Sequence, residues 1–155
     1  MCHRSRSLCD WAVIRRGRQL DHQGPDAHTP ALLGLGDLNG TRYAVAGLGE
    51  GVTVLGTLEA CDPRSGRWTT KTPMPTPRYG LGVGVVNGVL CTEGGYGIPG
   101  AGVLPTVQAY DPTTDAWTRR ASLPTPRFYL EVTVVDGSLH AIGRFYTSIV
   151  AAGTP

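Results

Sequence analysis

Charge is sparse in this chain: only 17% of its residues are Asp, Glu, Lys or Arg, below the quarter or so of an ordinary globular domain. The two signs nearly cancel, with 14 basic against 12 acidic residues and a net charge of +2. That balance gives no global electrostatic reason to expect nucleic acid or an anionic membrane as a partner. No apolar run approaches the ~20 residues of a membrane span. The apolar patch near the N-terminus, Leu8 to Ile14, is interrupted by Asp10 and makes a poor secretory signal. Cysteine is limited to Cys2, Cys9, Cys61 and Cys91, with no CxxC pair and no dense framework. The expectation is free thiols, with Cys61 and Cys91 as small core residues on strands. Without a signal peptide or a disulfide framework, a cytoplasmic location is favoured. Catalytic signatures are missing too: no HExxH, GxSxG or P-loop occurs.

What the chain has in excess is glycine, 22 of 155 residues, joined by 12 prolines and a hydrophobic fraction of 41%. That mixture suits short strands and tight turns around a packed core, not long helices. The chain also repeats itself. Slid by 49 positions, Asp62-Pro63 falls on Asp111-Pro112, Trp68 on Trp117, and Thr76-Pro77-Arg78 on Thr125-Pro126-Arg127. Val85-Val86 falls on Val134-Val135, Asn87-Gly88 on Asp136-Gly137, and Gly94 on Gly143, all without a gap. A fainter copy lies upstream, where Asn39-Gly40 precedes Asn87-Gly88 by 48 positions. There Thr29-Pro30-Ala31 stands for Thr-Pro-Arg and Gly47-Leu48-Gly49 for the double glycine, so this copy is expected to be at best half present.

Each copy reads as four strands. Leu81 to Val86 alternates glycine with apolar residues, as a strand near a crowded axis would. Asn87-Gly88 signals a type I′ hairpin, whose two central residues both need positive φ. Val89 to Thr92 returns and ends at Gly94-Gly95; a Gly/Pro-rich loop, Tyr96 to Pro105, leads to a third strand, Val107 to Tyr110. After a turn at Asp111 to Asp115, Ala116 to Arg119 forms the fourth strand, and the proline-rich Leu123 to Pro126 crosses to the next copy.

A period near 50 with these marks resembles the kelch repeat family. The residues carrying the resemblance are the Asn-Gly or Asp-Gly turn, Gly94-Gly95, Tyr110-Asp111-Pro112, Trp117 and Arg127, across about Asn39 to Arg144. The resemblance implies an all-β propeller segment of four-stranded antiparallel blades. The expected division is a basic, disordered or degenerate segment at 1–28 and a repeat segment at 29–155. The latter splits into a degenerate blade at about 29–70, a well-formed blade at about 78–120 and a truncated one at about 127–155. Two to three blades cannot close a ring of six, so the chain is expected to be a piece of a larger propeller, with self-assembly through open blade faces as the alternative.

Within that pattern Trp68, Trp117, Arg78, Arg127, Gly94 and Gly95 are expected to be structural. The tryptophans should pack between blades, and the arginines should bury their stems and satisfy their forks on backbone carbonyls. The loop after the second strand shares a side with the blade-to-blade crossings. That side collects Tyr96, Ile98 and Leu104 from the loop and Tyr79, Gly80, Phe128 and Tyr129 from the crossings, the candidate residues for a protein or peptide partner. In the cullin-ligase adaptors the pattern resembles, this side holds the partner peptide, and the second residue after the crossing arginine often points at it. Here those residues are Gly80 and Tyr129, so a basic clamp is absent. The rival reading is a fragment of a kelch-fold enzyme, either a copper oxidase related to galactose oxidase or a sialic acid mutarotase; a third is a non-functional remnant. The oxidase set of Tyr, Tyr, His, His and cross-linked Cys cannot be assembled from His140, Tyr96 and Cys91, and Glu93 is isolated. Cys9, His22 and His28 have the spacing of half a zinc finger, but Cys2 lies too far from Cys9 to complete it. No cofactor or metal is expected.

Overall fold

Three antiparallel sheets follow one another along the chain, each a meander in which strands adjacent in sequence are adjacent in space. A computed structural model describes residues 32–145. The first sheet contains β1 (Gly34–Leu38), β2 (Thr41–Leu48), β3 (Val54–Cys61) and β4 (Trp68–Lys71). The second contains β5 (Gly82–Val86), β6 (Val89–Glu93), β7 (Val107–Asp111) and β8 (Ala116–Arg119). The third contains β9 (Arg127–Val135) and β10 (Ser138–Phe145). The segment 1–28 and the Cys9, His22, His28 spacing lie outside the described residues. Among those described, no helix is long and apolar enough to cross a membrane.

Each sheet opens on the same hairpin. Asn39-Gly40 has φ of 52° and 76°, Asn87-Gly88 has 51° and 75°, and Asp136-Gly137 has 49° and 72°. Two successive left-handed residues make a turn whose twist matches that of the flanking strands. The first strands use glycine for another reason. A Cβ on Gly34 would collide with Val83, and one on Gly36 with Leu90; one repeat later, Gly82 lies against Val132, and Gly84 against Leu139 and Val132. β1 and β5 therefore each turn a bare glycine face to the side chains of the following sheet. The buried cluster sits between the first and second sheets, where Tyr43, Val45, Leu58 and Ala60 meet Leu81, Leu90 and Tyr110, with Val83, Val85 and Trp117 packed against it.

A polar clamp holds the same two sheets together. Asp115 Oδ1 accepts the backbone N–H of Thr72 at 3.1 Å, and Trp117 Nε1 donates to the Thr72 carbonyl at 2.8 Å. Both backbone groups of one residue in the first crossing are thus held by the second sheet. Tyr110 orients the acceptor by donating its hydroxyl to Asp115 Oδ1 at 2.7 Å, and its ring lies 5.3 Å from that of Trp117. Trp117 thus reaches back to the preceding sheet.

Two expectations need correction. The upstream copy is not half present: all four strands form, β1 to β4. The place of its double glycine is Ala46-Gly47, not Gly47-Leu48-Gly49. Ala46 and Gly47 have φ of 59° and 116°, close to the 60° and 100° of Gly94 and Gly95. The amides act alike as well, Gly47 N–H donating to the Arg78 carbonyl at 3.3 Å and Gly95 N–H to that of Arg127 at 2.8 Å. The second correction concerns Cys61, which is disulfide-bonded and not the free thiol expected, whereas Cys91 is a free, buried thiol.

Candidate functional site

The crossing segments and the loop between β6 and β7 meet at one end of the sheets because Gly94 and Gly95 let three backbones converge there. A Cβ on Gly95 would lie 2.9 Å from the Tyr79 carbonyl oxygen and 3.1 Å from Leu81, and one on Gly94 would strike the Arg127 carbonyl. Beyond the glycines the loop is pinned on both sides. Tyr96 exchanges two backbone hydrogen bonds with Tyr79, at 3.0 and 2.8 Å, and Leu104 N–H donates to the Gly95 carbonyl at 2.8 Å. A second bridge pairs Tyr96 with Val103, closing the loop on itself.

This pinning draws the predicted aromatic residues into a continuous ladder. Tyr79 and Tyr96 have ring centroids 5.5 Å apart, Tyr96 and Phe128 6.3 Å, and Phe128 and Tyr129 4.7 Å. Tyr129 is 49% exposed, and Ile98 is 53% exposed at the tip of the loop; Leu104 is half-buried beneath it, and Tyr79, Tyr96 and Phe128 are also half-buried. Gly80 is buried under the Tyr129 ring, whose nearest carbons would lie 3.2 and 3.3 Å from an added Cβ. All seven residues assigned to this side from the sequence therefore belong to one neighbourhood.

Sequence reasoning missed a second ladder, made of backbone, beneath the aromatic one. Leu32, Gly80 and Tyr129 occupy one repeat position, and all are left-handed, with φ of 57°, 60° and 50°. Gly80 N–H donates to the Leu32 carbonyl at 3.2 Å, and Tyr129 N–H to the Gly80 carbonyl at 2.7 Å. Equivalent residues of successive repeats are thus linked in series. The 48- and 49-residue offsets align these positions, but with glycine at only one of them nothing in the residue types marks a shared conformation.

The two crossing arginines sit behind the site in unlike surroundings. Arg78 is completely buried; its Nη2 donates to Thr92 Oγ1 at 2.7 Å and to the Thr92 carbonyl at 3.3 Å. Thr92 Oγ1 donates in turn to the Gln108 carbonyl at 3.1 Å. The expected satisfaction by backbone carbonyls is only partial, because Arg78 Nε and Nη1 find no partner among the described residues. Burial lowers the guanidinium pKa to about 10, so it stays charged at neutral pH. Arg127 is half-buried and donates from Nη1 to the Gly143 carbonyl at 3.2 Å.

The groups weighed for catalysis stand apart. Glu93 is 4% exposed, and burial raises its carboxyl pKa above the usual range. Cys91 lies on the same strand, its thiol pushed up first by burial and then by the Glu93 charge. His140 is exposed on β10, opposite Thr133. Among the described residues no three of His, Cys, Asp and Glu gather where a metal ion could be held. Trp68 is half-buried on β4, paired with Cys61.

No protein-family model matches this sequence. The structure is similar to a solved structure of YjhT, with a TM-score of 0.63 at 22% sequence identity, over 77% of this chain and 35% of that one. The chain thus spans about a third of YjhT's length, and at this identity the likeness concerns the fold: an all-β, propeller-type arrangement of four-stranded antiparallel sheets.

Proposed function

We propose that this chain is a kelch-repeat segment of a propeller that binds a protein or peptide partner, and that binding rather than catalysis is its role. The observation that carries the reading is the aromatic ladder from Tyr79 through Tyr96 and Phe128 to Tyr129 at the crossing end. Aromatic side chains held on a rigid scaffold, with one end wet, are the groups that dominate binding energy at interfaces. The ladder is held by backbone hydrogen bonds on both flanks, so little ordering is left to do on binding. The kelch assignment rests on the 49-residue repeat together with the propeller-type fold.

The test is site-directed crosslinking. A photo-crosslinker at Ile98, on the rim of the ladder, should join a discrete partner in cells, and Phe128→Ala should abolish the product. A crosslinker at Val135, at the far end of β9, should give none. Equal products from both positions would refute the reading. Turnover of a sialic acid anomer, or alcohol oxidation after copper loading, by the purified chain would replace it with the enzyme alternative.

A further inference from the structure

We infer that the chain binds a second copy of itself head to tail, the outward face of the third sheet in one copy docking on the outward face of the first sheet in the next. The inference is independent of the crossing-end reading and rests on how the two inner joints are built. At the first joint, Val83 and Leu90 of the second sheet fill the places where Gly34 and Gly36 have no side chain. At the second joint, 49 positions on, Val132 and Leu139 do the same at Gly82 and Gly84. The same repeat positions make both joints, so the offset names the residues that a third such joint would bring together.

On the third sheet these are Glu131 and Thr133, which stand where Gly82 and Gly84 stand one repeat earlier. Alternation along β9 fixes their direction: Leu130 and Val132 lie against the second sheet and are half-buried, while Glu131 and Thr133 are exposed on the other side. Ile142 is opposite Glu131 on β10 and is 70% exposed. On the first sheet the matching residues are Leu35, in the place of Val83, and Arg42, in the place of Leu90. Leu35 is 44% exposed. Arg42 is opposite Asp37 just as Leu90 is opposite Val85, and the two form an ion pair at 3.2 Å.

The two outward faces thus differ from the inner ones in a complementary way. Where the inner joints have glycine, one face carries a carboxylate; where they have leucine, the other carries a guanidinium. A sheet presenting valine and leucine, as the second and third do, would bury the Glu131 carboxylate without a partner, at a high cost. The first sheet presents a cation instead. In the register of the inner joints, Leu35 comes between Glu131 and Thr133. Arg42 comes to Thr133, two residues from Glu131 on the same face of the strand. Side chains in place of glycine hold these sheets farther apart than the inner ones, which leaves room for long Arg and Glu side chains to meet. The five donors of a guanidinium can serve Asp37 and Glu131 together. The contact uses two different faces, so copies add in one direction and close into a ring or extend as a filament.

Sedimentation equilibrium of the full chain over a range of concentrations tests this. A mass above that of one copy is expected, falling as salt is raised, because the pair at the joint is screened. Glu131→Arg and Arg42→Glu each set like charges against one another and should weaken association by at least about 10-fold. Both changes in one chain, or the two single variants mixed, restore opposite charges at every joint and should return association to within about 3-fold of the parent. Glu131 is exposed, so Glu131→Arg leaves the packing between sheets untouched, and an unchanged urea midpoint separates lost association from lost folding. A single-copy mass up to about 0.1 mM would overturn the inference. So would association that neither single reversal weakens, or a loss that the double variant does not recover.

Discussion

Gly34→Ala should destabilise the chain, and Val83→Ala should cancel most of the effect. The site of the new methyl is already occupied by Val83, with Leu81 Cδ1 at 3.1 Å. Overpacking a close-packed interface costs about 1–3 kcal/mol, while replacing glycine by alanine in a strand returns roughly 0.5–1 kcal/mol. The net loss is about 1–2 kcal/mol, a fall of roughly 2–8 °C in melting temperature for a chain of this size. Val83→Ala alone takes two methyl groups from a half-buried side chain and should cost about 1 kcal/mol. Combined, the methyl on residue 34 enters the space vacated at 83, so the double variant should be no less stable than Val83→Ala alone. Urea unfolding followed by far-ultraviolet circular dichroism measures all four proteins, and a constant m-value shows that stability alone has changed. Additivity within about 0.5 kcal/mol, the behaviour of independent sites, would mean that the two side chains do not meet and that the first and second sheets are not packed as described.

Trp117→Phe keeps an aromatic ring and loses the donor to the Thr72 carbonyl, so it should cost about 0.5–1.5 kcal/mol; no change in the urea midpoint would remove the clamp from the account. Gly88→Ala should cost about 1–2 kcal/mol, because φ is 75° there and nothing lies near an added Cβ, whereas Asn87→Gly should be nearly neutral. Glu93→Gln should make the chain more stable at neutral pH. A carboxyl whose folded pKa is raised contributes its stability when protonated, below the ordinary Glu pKa of about 4.3, and loses it as pH rises through the raised value. The gap between variant and parent should therefore shrink as pH falls towards 4, and a gap independent of pH would refute the assignment.

The second sheet was legible because its special backbone positions are filled by residues that advertise them. Asn87-Gly88 announces a type I′ turn, and Gly94-Gly95 the point where three backbones converge. The first sheet was half hidden because it adopts the same conformations with other residues. Ala46 takes the place of Gly94 at φ 59°, and Leu32 that of Gly80 at φ 57°. An alanine or leucine in a sequence carries no sign of a left-handed φ, since both normally avoid it. Other features could not be read because they arise only between repeats. The Thr72 clamp joins residues 43 and 45 positions apart, and neither Asp115 nor Trp117 indicates which backbone it will hold. The aromatic side was legible in its membership, since loop and crossing residues follow from strand direction, but the order of its rings depends on the Tyr79–Tyr96 bridge.

The repeat position shared by Leu32, Gly80 and Tyr129 separates what the fold requires from what it tolerates. The fold requires the left-handed backbone, because the amides of Gly80 and Tyr129 donate to the carbonyls of Leu32 and Gly80, from one repeat to the one before. Glycine meets that requirement without strain, as Gly80 shows, while a side-chain-bearing residue costs roughly 1–2 kcal/mol in the same conformation. Leu32 and Tyr129 therefore lower stability where they stand, and their side chains recover little of the loss by burial, being 44% and 49% exposed. Strain of this size together with apolar exposure is expected at a surface that acts on something outside the chain. It follows that Leu32→Gly and Tyr129→Gly should each leave the melting temperature unchanged or raise it. A fall of several degrees in either variant would mean that these side chains hold the fold together, and the case for a binding surface at the crossing end would lose its energetic support.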